Sequence, residues 1–386
     1  MTSDDRLRSA RRAAIAPFIV MDVMRTANAL EATGARVLHL EVGQPASPAP
    51  KAVLRAAEQA LKGERLGYTD ALGLKLLRSR IAGHYGEAYG LDVDWRQVVV
   101  TTGSSGAFIL AFLAAFDEGD DVAVAVPGYP GYRNILQALG VRVVEVPVGP
   151  DSHFQPSIAM LEALDPLPKG LIVASPANPT GSMLSSDAIG ELAGFCGRHG
   201  IRLVSDEIYH GIVYGDRAAT ALTFDPNVIV INSFSKYYSM TGWRLGWMIV
   251  PKPLLRSIEC LAQNLYISPP TLSQRAAEAA FACRLELDGH VARYARNRDI
   301  LLEALPKAGF QKLAPADGAF YVYADVSEIT ENSSSFCRQL LEQTGVAITP
   351  GIDFDPGRGH RFIRISFAGA TDEIEEAMTR LLTWRL

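Results

Sequence analysis

The sequence predicts an α/β fold: a large domain on a seven-stranded, mainly parallel sheet flanked by helices, and a smaller α+β domain formed by both chain ends. Three observations carry this prediction. Between residues 98 and 250, short apolar runs alternate with helical patterns, as strands joined by helical crossovers do. After Pro251 the pattern turns helical, and a long stretch of interleaved charged and apolar residues at 288–308 reads as a connecting helix. Strand-like segments recur towards both ends, at 37–40, 320–323, 346–348 and 362–367. A chain of 386 residues that is 48% apolar can bury two or three cores at about 150 residues per domain. The expected boundaries are 1–44 for the N-terminal part of the small domain, 45–287 for the large domain, and 288–386 for the connecting helix and the rest of the small domain.

Arg6, Arg8, Arg11 and Arg12 precede an apolar stretch at 13–21, as the basic and apolar parts of a secretory signal would. Pro17 and Asp22 interrupt it and no small-residue cleavage pattern comes after it, so the segment reads as a helix leading to the strand at 37–40. Glu41-Val42-Gly43-Gln44-Pro45 then marks a turn. Helices are expected at 50–62 and 74–89, separated by Gly67-Tyr68-Thr69-Asp70. The seven runs of the large sheet are 98–102, 122–126, 141–146, 171–175, 202–205, 228–231 and 245–250.

The turns that leave these runs are more informative than the runs themselves. Thr102-Gly103-Ser104-Ser105-Gly106 opens an apolar helix at 107–116, which aims free N–H groups and the helix dipole at an anion. Neither G-x-G-x-x-G nor G-K-[ST] accompanies it, so it is no dinucleotide fingerprint or P-loop. The second run ends at Pro127-Gly128-Tyr129-Pro130, and the fourth at Pro176-Ala177-Asn178-Pro179-Thr180-Gly181. The fifth ends at Ser205-Asp206-Glu207-Ile208-Tyr209, where one of the two carboxylates is expected to be solvated or to cap a helix. In 362–367, alternation places Ile363, Ile365 and Phe367 on one face and Arg364 on the other with Phe362 and Ser366. Arg358 and Arg361 read as surface or loop residues, and an amphipathic helix at 371–385 closes the chain.

The chemistry centres on Lys236, which sits past the end of the run at 228–231, where open α/β sheets hold their ligands. Among Phe234, Tyr237, Tyr238 and Trp243 its ammonium form is disfavoured by desolvation, and a neutral amine attacks an aldehyde. Ser233, Ser235 and Arg244 offer hydroxyls and a guanidinium to a phosphate. Amine, phosphate ligands and strand end together point to pyridoxal phosphate bound through Lys236.

The string S-x-S-K at 233–236, with Arg244 after it in G-W-R-x-G, resembles the cofactor-lysine signature of the class I/II pyridoxal-phosphate aminotransferases of fold type I. The resemblance extends over residues 13–385 and implies roles for the other motifs. It places Ser104, Ser105, Ser233, Ser235 and Arg244 on the cofactor phosphate and Tyr129 flat on its ring. Asn178 and Tyr209 would share the ring oxygen, and Asp206 would partner the ring nitrogen. Gly43, Asn178 and Arg364 would hold the substrate carboxylate, and Tyr68 would reach the phosphate bound by a neighbouring subunit. The implied activity is ping-pong transfer of an amino group between an L-amino acid and a 2-oxo acid by a homodimer with shared sites. A β- or γ-eliminating carbon–sulfur lyase of the same fold is the alternative. A non-catalytic cofactor sensor would need an N-terminal DNA-binding domain, for which the segment before Gly43 is too short.

Apolar groups such as Ile15 and Phe18 in the N-terminal segment lean the substrate towards neutral or apolar amino acids. Cys196, Cys260, Cys283 and Cys337 stand at no metal-ligand spacing and are too sparse for a disulfide framework, so they read as buried free thiols of a cytoplasmic protein, with no metal site. A net charge of −5 with dispersed Lys and Arg predicts neither nucleic acid nor membrane as a partner, and no apolar run approaches membrane-spanning length.

Overall fold

The computed structural model describes residues 7–384; Arg6, which opens the basic stretch, and Arg385, which ends the expected closing helix, lie outside them. A helix, Ile19–Glu31, and a short strand β1 (Leu38–His39) lead into the main sheet. That sheet contains β2 (Val98–Thr101), β3 (Asp121–Val126), β4 (Arg142–Pro147), β5 (Gly170–Ala174), β6 (Arg202–Asp206), β7 (Ile229–Ser233) and β8 (Gly246–Ile249). Their spatial order is β2-β8-β7-β6-β5-β3-β4, and β8 alone runs against its neighbours. The central strands read as continuous apolar runs because helices cover both faces, and β2 and β7 are buried at every position. Leu171, Val173, Leu203, Val230 and Trp247 face one core, while Ile172, Val204, Ile229, Ile231 and Met248 face the other. Helix Gly103–Ala115, apolar on nearly every side, fills that second core. It begins at Gly103, four residues before the expected apolar start at Ala107, so the small residues of the turn form its first turn.

After helix Arg284–Lys307, the C-terminal part adds β9 (Lys312–Leu313), β10 (Tyr321–Asp325), β11 (Val346–Ala347), β12 (Thr349–Pro350) and β13 (Phe362–Ser366). Four of these form a sheet in the order β12-β13-β10-β9, while β11 pairs in parallel with β1. The single strand expected at 346–348 is therefore two, because the chain changes sheets around the fully buried Ile348. Leu38 and Leu40 join Ile363, Ile365 and Phe367 in a separate core, which binds the N-terminal segment to the C-terminal one. Since β8 is antiparallel, the segment entering it lies at the same sheet edge as the segments leaving β2, β3, β5, β6 and β7. Every motif singled out in the main sheet converges on that edge.

Candidate active site

The loop after β7 is fixed by alternation. Phe234 is fully buried, with its ring 5.1 Å from Tyr238, 4.9 Å from Trp247 and 5.7 Å from Phe281. Ser233 and Ser235 consequently turn the other way, their hydroxyls 2.9 Å apart. Thr241 Oγ1 donates to Ser235 O at 3.0 Å, and Arg244 Nη1 donates to Thr241 O at 3.0 Å. Arg244 reaches back over the start of helix Gly103–Ala115, where a Cβ on Gly103 (φ +71°) would collide with its guanidinium. The serines, the arginine and the start of that helix thus come together, since a Cβ on Gly246, which pairs with Ser233, would meet Ser104 N at 2.9 Å.

Lys236 Nζ donates to Gly43 O at 2.6 Å. Burial drives its pKa down to about 8, with the Arg364 and Arg244 charges adding to the effect and Asp206 opposing it. Gly43 tolerates no side chain, since a Cβ would run into the Tyr321 phenol. That phenol lies 2.8 Å from Tyr209 Oη, and the Tyr209 and Phe320 rings flank Lys236 Nζ at 5.9 and 5.8 Å.

Asp206 is 4% exposed at the end of β6. Its Oδ2 accepts from the Tyr132 phenol, and its Oδ1 accepts from Ile208 N at 3.1 Å. Burial pushes its pKa up to about 6 against those hydrogen bonds. The expectation that one of the two carboxylates here would be solvated or cap a helix is corrected as to solvation. Glu207 is 1% exposed and accepts from Ser205 Oγ (3.1 Å), Thr220 Oγ1 (2.9 Å) and Ala221 N (3.0 Å), because the segment at 220–221 folds over it. Burial raises its pKa to about 8.

Arg364 is buried, on the strand face opposite Ile363 and Ile365. Its guanidinium carbon lies 4.4 Å from the Tyr321 ring centroid and 4.7 Å from that of Phe354. Nη1 donates to Asn178 Oδ1 at 2.9 Å, Nη2 donates to Glu41 O, and Nε has no protein partner among the described residues. With its oxygen engaged, Asn178 keeps its Nδ2 donor for another group. Arg358 is more than a loop residue, since it pairs with Asp355 at 2.8 Å and donates to Val126 O and Val148 O at 2.6 and 3.1 Å, tying the C-terminal segment to the end of β3.

Tyr129 sits at the mouth, edge-on to Tyr132 (5.2 Å) and Phe18 (5.8 Å), with the Ser105 hydroxyl bonded to its phenol. Tyr68 is not brought into this cluster. It is 83% exposed, on a loop held by Thr271 Oγ1 donating to Gly67 O at 2.6 Å. Sequence reasoning missed Tyr132 and Tyr321. Tyr132 was findable one helical turn after Tyr129, whereas Tyr321 lay inside an expected strand whose facing partner was unknown.

The family model for aminotransferase class I and II matches residues 35–381. The chain belongs to this family. It is 52% identical over 381 residues to the valine–pyruvate aminotransferase of Mycobacterium tuberculosis, covering 98% of each chain. The crystal structure of an aminotransferase from Mycobacterium tuberculosis superposes with a TM-score of 0.96 at 52% identity, over 98% of both chains. The aspartate aminotransferase of Thermus thermophilus solved with maleate gives 0.92 at 32% identity, over 97% of this chain and 99% of that one. The protein is therefore an aminotransferase with the expected mostly parallel seven-stranded sheet, and these relatives lend the eliminating alternative no support. Class I/II aminotransferases as a family work with pyridoxal phosphate.

Proposed function

We propose that this aminotransferase uses pyridoxal phosphate to move the amino group of a neutral, valine-like L-amino acid to pyruvate or a similar 2-oxo acid, as a cytoplasmic homodimer. The observation that carries this reading is Lys236 itself: a partly buried amine with its pKa drawn down to about 8, lying within the electrostatic reach of Asp206, Arg244 and Arg364. The donor set fits the cofactor. The donors gathered beside Gly103, from Ser104, Ser105, Ser233, Ser235, Arg244 and the helix N–H groups, would take its phosphate. When bound, pyridoxal phosphate supplies an aldehyde that condenses with amines and a ring that accepts the electrons of a broken C–H bond.

The chain's own residues do the rest. Asp206 would favour a protonated ring nitrogen, and the Tyr132 hydrogen bond helps the carboxylate stay ionised despite its burial. Tyr209, Asn178 and Tyr129 would hold the ring, the first two as hydrogen-bond donors and the third through its aromatic face. Arg364 and the backbone at Gly43 bind the substrate α-carboxylate, for which the unpartnered Nε of Arg364 is the ready donor. Lys236 Nζ would take the proton from the substrate α-carbon and return one in the second half-reaction.

The valine-like preference draws support from the apolar N-terminal segment, whose Phe18 meets Tyr129, and from the relative's name. The dimer draws support from Tyr68 and Leu66 in one loop, and from Leu265 and Ile267 at and after the end of helix Leu255–Leu265, all exposed in the single chain. The four cysteines are free thiols, as a cytoplasmic enzyme would keep them; Cys260 is only partly buried, contrary to expectation, because its helix lies at the surface. Among the described residues no helix is long and apolar enough to cross a membrane. We divide the chain at 1–44, 45–287 and 288–386, with the outer pieces joined by the pairing of β1 with β11. Single-turnover reaction with valine, alanine and aspartate tests the reading: valine should show the highest kcat/KM, and a preference for aspartate would overturn the substrate assignment.

A further inference from the structure

A second cavity, of about 250 Å³, lies between the end of helix Lys75–Tyr89, residues 210–218 and the start of helix Arg284–Lys307. It shares its walls with the site, for the lining residues alternate along the chain with site residues. Asn232 precedes Ser233, Tyr237 follows Lys236, and His210 follows Tyr209. None of the groups assigned to the transamination lines it.

Its chemistry is specific. Tyr89, Tyr237, Tyr238, Trp247 and Phe281 supply aromatic walls. Asn232 is 6% exposed and its Oδ1 accepts from Ser233 N at 2.7 Å, which leaves its amide nitrogen without an acceptor among the described residues. At the mouth, Arg217 and Glu87 carry opposite charges, and neither forms a salt bridge among the described residues. Arg284 and Asp288, by contrast, pair with each other at 3.4 Å. A buried amide donor at the end of an aromatic slot, with one free cation and one free anion at the opening, matches a zwitterion carrying a ring with a polar atom.

We propose that this cavity binds an aromatic α-amino acid as an effector, with its ring between the aromatic walls, its ring hydroxyl or heteroatom on the Asn232 amide, its carboxylate on Arg217 and its ammonium on Glu87. The route to the site is a hydrogen-bonded chain. His210 Nε2 lies 3.0 Å from Ser175 O, and because a carbonyl only accepts, the proton is on Nε2 and the Tyr89 phenol donates to Nδ1 at 2.7 Å. Ser175 opens the turn that delivers Asn178 to Arg364. A ring seated against Tyr89 therefore bears on the substrate-carboxylate clamp.

The test is equilibrium dialysis of the holoenzyme with α-methyl-L-tyrosine, which lacks the α-hydrogen and cannot be transaminated, together with cofactor absorbance. The expected result is one site per chain that fills without changing the visible spectrum, whether or not the active site also fills and changes it. Ala88→Trp should remove the silent site, and Arg217→Gln should weaken it by about fivefold, the size of one exposed ion pair. Both variants should keep basal turnover. Absence of any silent site, or a silent site unmoved by either substitution, overturns the proposal. Loss in Ala88→Trp with no change in Arg217→Gln overturns the amino-acid assignment.

Discussion

Lys236 does its work through a proton it must not hold. Its ordinary pKa of 10.5 falls to about 8 because the ammonium loses solvent and gains Arg364 and Arg244 as neighbours. Between about 8 and 10.5 the unfolded chain binds the proton and the folded chain does not, so through this group stability rises with pH across that window. The same shift governs reactivity. When pyridoxal phosphate is added to apoenzyme, the visible chromophore should form about tenfold faster per pH unit up to about 8 and level off above. A rate still climbing at pH 10 would place the reacting amine on an unperturbed lysine. Arg364 bears a different duty, set by a fork that only arginine offers. Arg364→Lys should raise KM for all amino acids in similar proportion, by about tenfold or more, because every substrate has the carboxylate and a point charge cannot replace the fork. An increase confined to one amino acid would move Arg364 to the side-chain pocket.

Among the elements, helix Ile19–Glu31 depends on a distant partner. Its first N–H groups, at Ile19 and Val20, both donate to the Asp353 carboxylate at 3.1 Å, so the helix cap comes from the C-terminal part of the chain. Asp353→Ala should cost this helix about 1–2 kcal/mol. Trypsin cleavage at Arg25 should accelerate, and KM for apolar donors should rise through the displaced Phe18 while kcat holds. Unchanged cleavage would show that the cap is dispensable. The strands were legible because a sheet covered on both faces demands continuous apolar runs, and the turns that leave them carry residues with little other use. Illegible were the features that depend on which element comes to lie across from which. The Tyr132 phenol meets Asp206 only because β3 and β6 flank β5, and two of the donors to the buried Glu207 come from the segment at Thr220 and Ala221. Glu41 looked like a turn residue, but its carbonyl holds Arg364 because β13 passes beside it.

At the scale of the molecule, Tyr68 is exposed in the single chain, and the proposed dimer would give it a place at the phosphate bound by the neighbouring subunit. Lys236→Ala and Tyr68→Ala chains, unfolded together and refolded with cofactor, should complement each other. About half of randomly paired dimers are hybrids with one intact site of two, so about a quarter of wild-type activity should return. If mass measurement confirms exchange and activity stays at the sum of the two variants, Tyr68 serves its own chain. The central claim, that Lys236 holds the cofactor, has a more direct test. The holoenzyme is reduced with borohydride and digested, and the peptides are sequenced by mass spectrometry. A pyridoxyl-phosphate adduct on Lys236, absent from Lys236→Ala, is the expected result; an adduct on another lysine, or none on a protein that still transaminates, would contradict it.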